Sequence, residues 1–148
     1  MPVRSHTVFL AGPVNGCNET QKRRWREELK AKAGREFLIL DPMDDPLKST
    51  SVHELVDKDL QSIQSADAVL AYMWKESIGT AIGIVLARTT GRIVVVVDPN
   101  HLENPLLAFY ADIVTHTLSE GWRAVKDLLR SSRLMVLKHG GRLEPFDR

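Results

Sequence analysis

Five consecutive β-branched residues, Ile93-Val94-Val95-Val96-Val97, constrain this chain more than any other stretch. A strand with one wet face alternates apolar and polar residues. This run has no polar position, so it reads as a central strand of a parallel sheet, covered on both faces. Asp98-Pro99 ends it. Thr7-Val8-Phe9-Leu10-Ala11 reads as a shorter strand stopped by Gly12-Pro13, and Phe37 to Leu40 as another stopped by Asp41-Pro42. Asp67 to Met73 reads as a further apolar strand, and Ile113 to Thr117 as a short last one.

Helical patterns fill the intervals. Asn18 is placed to cap a helix to about Ala33, with the basic cluster Lys22-Arg23-Arg24 in its first half and Trp25, Leu29 and Ala33 as its apolar line. Met43 to Thr50 reads as a polar loop. Ser51 followed three residues later by Glu54 is a capping box opening a helix to about Ser65. A helix over about 77–90 is closed by Gly91, Asn104-Pro105 opens another helical stretch, and Ser119 is expected to cap a last helix through about Leu129. Strands alternating with helices at short intervals mean a parallel sheet with helices on both faces. Ligands of such sheets sit outside the carboxyl ends of the strands. Those ends are Gly12-Pro13, Asp41-Pro42, Trp74 to Gly79, and Asp98 to Asn100.

At 148 residues the chain suits one domain, here 1–130, followed by a basic C-terminal tail, 131–148. Lysine plus arginine number 20 against 19 acidic residues, so no bulk charge argues for a nucleic acid polymer or a membrane surface. No apolar run reaches ~18 residues and no secretory pattern opens the chain, so a soluble cytoplasmic protein is expected. The single cysteine, Cys17, excludes an internal disulfide and any cysteine-cluster metal site. His53, His101 and His116 lack metal-ligand spacing. No metal and no cofactor are expected.

Asp59 is the candidate the residues single out. On the helix over 51–65 the apolar stripe is Val52, Leu55, Val56, Leu60 and Ile63, and Asp59 lies inside it. A carboxylate on a buried face needs partners or a raised pKa; it serves a ligand or catalysis, or it ties down a loop. Glu76 stands at a strand-to-helix turn, where a helix dipole favours an acid whether or not it has a role. Ser77 and Thr80 can cap that helix or hold a phosphate. Gly79, Gly83 and Ala87 leave one helix face bare, for close packing or for a ligand.

Taken in order, several segments resemble the nucleoside 2-deoxyribosyltransferase family, including its branch of 2'-deoxynucleoside 5'-monophosphate N-glycosidases. They are Val8 to Pro13, Trp25-Arg26, Asp41-Pro42, Asp59 to Ile63, Ala66 to Ala71, Ser77 to Ala81, and Ile93 to Val97. The resemblance implies a doubly wound, flavodoxin-like α/β sheet in a single domain. It implies a nucleoside or nucleoside monophosphate as the small-molecule partner, and a homodimer or larger homo-oligomer. It also implies N-glycosidic bond cleavage or base transfer: a glutamate attacks the anomeric carbon, and an aspartate helps protonate the departing base.

The family's aspartate falls on Asp59, and its glutamate, 24 residues later, falls on Gly83. The glycine usually found two residues further is Val85, and the tyrosine of the first strand is Phe9. Ser77 matches a serine of the phosphate-reading branch, whereas Pro13 and Asn15 stand for its serine and arginine. The substrate-binding set implied is Phe9, Gly12, Pro13, Asn15, Asp41, Ser77, Gly79, Thr80 and Gly83, with Asp59 and Glu76 as catalytic candidates. Three readings stay open. Glu76, seven residues before Gly83, replaces the nucleophile if the helix begins early enough. Asp59 alone activates water. Or the chain is a catalytically silent nucleotide-binding protein, a sensor or partner subunit.

Overall fold

The computed structural model describes residues 6–44 and 51–138, with side chains to residue 131. Part of the polar loop read over 43–50, and the tail beyond 138, lie outside these residues. Five strands, β1 (His6–Ala11), β2 (Phe37–Leu40), β3 (Ala68–Tyr72), β4 (Ile93–Val97) and β5 (Ile113–Thr115), form one sheet in the order β2-β1-β3-β4-β5. Every neighbouring pair is parallel. This is the doubly wound, flavodoxin-like order, in which the chain reverses its winding between β1 and β3. The β-branched run is fully buried in β4, between β3 and β5, as its two apolar faces require.

Alternate residues of the strands feed two cores. Val8, Leu10, Leu70, Val95 and Val97 face α1 (Glu19–Ala33) and α5 (Leu118–Lys138), which add Trp25, Leu29, Trp122, Val125 and Leu129. Phe9, Val69, Ala71, Val94 and Val96 face α2 (Val52–Ser65), α3 (Ile78–Thr89) and α4 (Pro105–Tyr110), which add Ile63, Ile84, Ala87 and Leu107. The caps follow local chemistry. Asn18 and Gln21 form a reciprocal capping box on α1, and Ser51 accepts from the Glu54 N–H at the start of α2. Asn104 accepts from Leu106 N–H, and Pro105 sits in the first turn of α4.

Two helices depart from the sequence reading. α5 is capped by Thr117, whose hydroxyl accepts from Glu120 N–H, while Ser119 receives a hydrogen bond from Lys32. The helix also runs past Leu129 to Lys138, since no glycine or proline interrupts the chain before Gly140. In α2 the apolar stripe is not buried along its length. Ile63 is 3% exposed, but Val52 is 78%, Leu55 44% and Val56 47% exposed. A helical period shows that an apolar face exists; it does not supply the element that covers it.

Candidate functional site

The carboxyl edge of the sheet begins with a buried ion pair that sequence reasoning missed. Arg26 is fully buried on α1, one turn before Leu29. Its guanidinium donates to Leu10 O at 2.8 Å, to Gly12 O at 3.4 Å and to the Asp41 carboxylate at 3.1 Å, and lies over the Trp25 ring. It thereby ties the ends of β1 and β2 together. Burial pulls its pKa below the ordinary arginine value, against the opposing pull of Asp41 and, more weakly, of Asp59. The signal was present: Arg26 falls inside the apolar line of α1, the argument that picked out Asp59 on α2.

Asp41, expected in the substrate-binding set, has a side chain only 1% exposed and surrounded by internal partners. Besides Arg26 it accepts from Met43 N–H, which turns the chain into a 3-10 turn at Pro42–Asp44, and from Lys30 Nζ at 2.8 Å. Glu27, Asp41 and Asp44 bring carboxylates close enough to suit a cation. The Lys30 ammonium lies within hydrogen-bond or ion-pair distance of all three and supplies that charge. Burial alone would lower the Lys30 pKa; its hydrogen bonds to Asp41 and Asp44 raise it instead.

Gly12 is explained by Trp25. A Cβ there would lie 2.5 Å from the indole Cζ2, so only glycine lets the β1–α1 loop cross the ring. Pro13 is buried beyond it, and Phe9 is 4% exposed in the core beneath α2 and α3. Asn15 is exposed, and its carbonyl accepts from Lys75 Nζ at 3.3 Å. Lys75 thus bridges the loops after β1 and β3, the place where the winding reverses.

Asp59 is half-buried on α2. It lines a cavity of about 640 Å³ with Asp41, Leu40, Lys58 and Ser62. Its neighbour on the helix face, Ile63, meets α3: a Cβ on Gly83 would lie 3.6 Å from Ile63 Cδ1. Both helices start at the carboxyl edge and run down the sheet, so one turn up from this contact sets Asp59 level with Gly79. A Cβ at Gly79 would meet nothing within 4 Å. The Gly79–Gly83 row therefore has two parts, a packed position at 83 and an open one at 79.

Glu76 lies elsewhere. Ser77 caps α3 in extended backbone, its hydroxyl accepting from Thr80 N–H and from the Thr80 hydroxyl, which is buried. Glu76 precedes that cap and is outside the helix, so the two-turn relation to Gly83 is not formed. It lines a second cavity, of about 450 Å³, with Met73, Ile78, Leu102, Asn104 and Leu107, on the α4 side of α3. Gly83 faces α2. The structure brings Asp59 and Asp41 to one cavity and Glu76 and Ser77 to another; the two catalytic candidates do not share one.

Residues 6–96, from β1 into β4, match the family described as Domain of unknown function (DUF4406). The chain belongs to the DUF4406 family. No curated protein matches it. Among solved structures, this DUF4406 chain is similar to a 2-deoxyribosyltransferase from Leishmania mexicana, with TM-score 0.66 and 16% identity over 80% of this chain and 95% of that one. A 2-deoxyribosyltransferase from Bacillus psychrosaccharolyticus gives 0.64 and 18% over 80% and 89%. A CMP N-glycosidase from Clostridium botulinum gives 0.56 and 18% over 83% and 98%. The fold is therefore deoxyribosyltransferase-like. Among the described residues no helix is long and apolar enough to cross a membrane.

Proposed function

We propose that this DUF4406 protein binds a nucleoside or nucleoside 5'-monophosphate at the carboxyl edge of its sheet and cleaves the N-glycosidic bond with water. The observation that carries the reading is Asp59, half-buried beside a cavity and level with the open first turn of α3. The transferase and N-glycosidase activities named for the similar structures support it. Asp59 takes a proton from water as the water oxygen bonds to the anomeric carbon. The bond from that carbon to the base nitrogen breaks, its electron pair stays on the base, and the proton from Asp59 neutralises it. No covalent sugar intermediate is invoked, because position 83 holds glycine and Glu76 faces another cavity. The test is base release, followed by chromatography, from a panel of nucleosides and 5'-monophosphates. Asp59→Asn should lower it by ~10²–10⁴-fold; unchanged release would remove Asp59 from the mechanism.

Gly83 favours a second reading, a catalytically silent nucleotide-binding protein. It expects a thermal shift from the same compounds without base release. Position 83 packs against Ile63, so a gain of glycosidase activity in Gly83→Glu, or in Gly83→Glu with Phe9→Tyr, would mean that α2 and α3 part enough for the family glutamate to reach the sugar. The proposal extends to a homodimer or larger assembly. The exposed apolar residues of α2, α3 and α4 support it: Val52, Ile78, Ile82, Leu106 and Phe109. Sedimentation of the wild type and of an Ile82→Lys/Phe109→Lys double variant tests it; two monomers would exclude the assembly.

A further inference from the structure

We propose that the cavity beside Glu76 is a second ligand site, separate from Asp59, for a small organic cation: an apolar body carrying a protonated amine. The inference goes beyond the nucleoside reading and does not rest on it. The cavity, about 450 Å³, is within the size range of small-ligand pockets and has their composition, an apolar lining with a few polar groups. Met73, 2% exposed, and Leu107, 9% exposed, line it along with Leu102, Ala81 and Ile78. It lies between α3 and α4, whereas the cavity of Asp59 is lined by α2 and the end of β2, so α3 stands between the two.

Charge sets the class of ligand. Glu76 lines this cavity and has no hydrogen bond or ion pair with any described residue. Its carboxylate only accepts, so a partner must bring the protons and, to neutralise it, a positive charge. The protein does not bring that charge: Lys75, the residue before, directs its ammonium to Asn15 O at 3.3 Å and over the Trp74 ring. The loop that supplies Leu102 and Asn104 adds a further acid, Glu103, set 3.9 Å from His101 Nδ1. The cavity of Asp59 is the opposite case, because Lys58 lines it and its Asp41 is paired with Arg26 and Lys30. An ammonium at Glu76 gains a charge-assisted hydrogen bond at the mouth, while its apolar body packs on Met73 and Leu107 and covers Ile78, 82% exposed.

Three probes of similar shape test this. Phenethylamine, protonated at neutral pH, is titrated into the full chain by NMR beside 2-phenylethanol and phenylacetate. The amine should bind at least about threefold more tightly than the alcohol, with the carboxylate weakest. The Met73 methyl signal should shift with it, since that side chain lines the cavity. Glu76→Gln keeps the shape of an exposed side chain outside the helix, so folding stays intact, and it should bring amine and alcohol to about equal affinity. Asp59→Asn should leave the preference unchanged. No binding of the amine, equal affinity for amine and alcohol in the wild type, binding without a Met73 shift, a preference that survives Glu76→Gln, or one that vanishes instead in Asp59→Asn would each overturn the site. Base release from nucleosides reads the other cavity, so either inference can fail alone.

Discussion

α1 and α5 cover one face of the sheet with Trp25, Leu29, Trp122 and Leu129, while α2, α3 and α4 cover the other with Ile63, Ile84, Ala87 and Leu107. The outward sides differ more. α1 presents charges paired along the helix, Glu19 with Arg23 at 2.9 Å and Arg24 with Glu28 at 3.7 Å. α2, α3 and α4 present Val52, Ile78, Ile82, Leu106 and Phe109. Both candidate cavities lie against this second layer, lined by α2 or by α3 and α4. In the first layer the inner face is filled by large rings, and α1 turns paired charges outward. The second is built from smaller contacts and leaves apolar surface and cavities unfilled, so it is the layer where a ligand or a second copy has room to act.

The sharpest way to break that contrast is to remove the guanidinium that anchors the first layer to the carboxyl edge. Arg26→Met keeps much of the volume but strips the Asp41 carboxylate, its side chain 1% exposed, of its buried partner and removes the guanidinium donor to Leu10 O. Breaking a buried pair by removing one member costs ~3–5 kcal/mol. Urea unfolding should show a loss of that size. A loss below ~1 kcal/mol would mean that Lys30 and Met43 N–H alone hold Asp41 in place.

The two glycines at the candidate site sharpen the comparison further, because they should respond with opposite signs. Gly12→Ala forces a Cβ against the Trp25 ring of the first layer at 2.5 Å, an overpacking expected to cost ~1–3 kcal/mol. Gly83→Ala places a Cβ at an ordinary contact distance from Ile63 in the second layer. It also removes a mid-helix glycine, so a gain of ~0.5–1 kcal/mol is expected. Thermal unfolding of both variants decides it. A loss at Gly83→Ala would mean that α2 and α3 are already as tightly packed as the tryptophan layer.

How much of this was legible follows the same division. The strands and their order of appearance were readable because apolar runs and their Gly-Pro and Asp-Pro stops are local signals, and β4 carried its own burial in its composition. Sheet order had to come from the structure, as did the partner of each carboxylate. Asp41 looked like a ligand residue because it ends a strand; its role inside the ion pair depends on Arg26, fifteen residues away on another element. The α2 stripe was read as buried because periodicity records an apolar face and not its cover. Glu76 depended on where α3 begins, and the start is set by the Ser77 hydroxyl reaching Thr80 N–H, a matter of a single residue. Element boundaries of that kind are where a helical-wheel argument is weakest.

The smallest effect expected is a pH dependence confined to the first layer. Tyr72, at the end of β3, packs against Trp25 with ring centroids 5.1 Å apart. Burial raises its pKa above the ordinary 10.0, and the nearby charge of Glu28 adds to the rise. The Lys30 pKa is also raised, its hydrogen bonds to Asp41 and Asp44 outweighing burial. Both groups hold their protons more tightly folded than unfolded. Their contribution is therefore full below the unfolded values, about 10 for tyrosine, and is lost as pH rises through them towards the folded values. Urea midpoints should stay level from pH 8 to about 9.5 and fall above 10. Tyr72→Phe removes its share and should fall less steeply, with Lys30 carrying what remains. Equal slopes in the two proteins would mean that the Tyr72 hydroxyl is as well solvated as in the unfolded chain, and that the first layer is looser at the carboxyl edge than its tryptophans suggest.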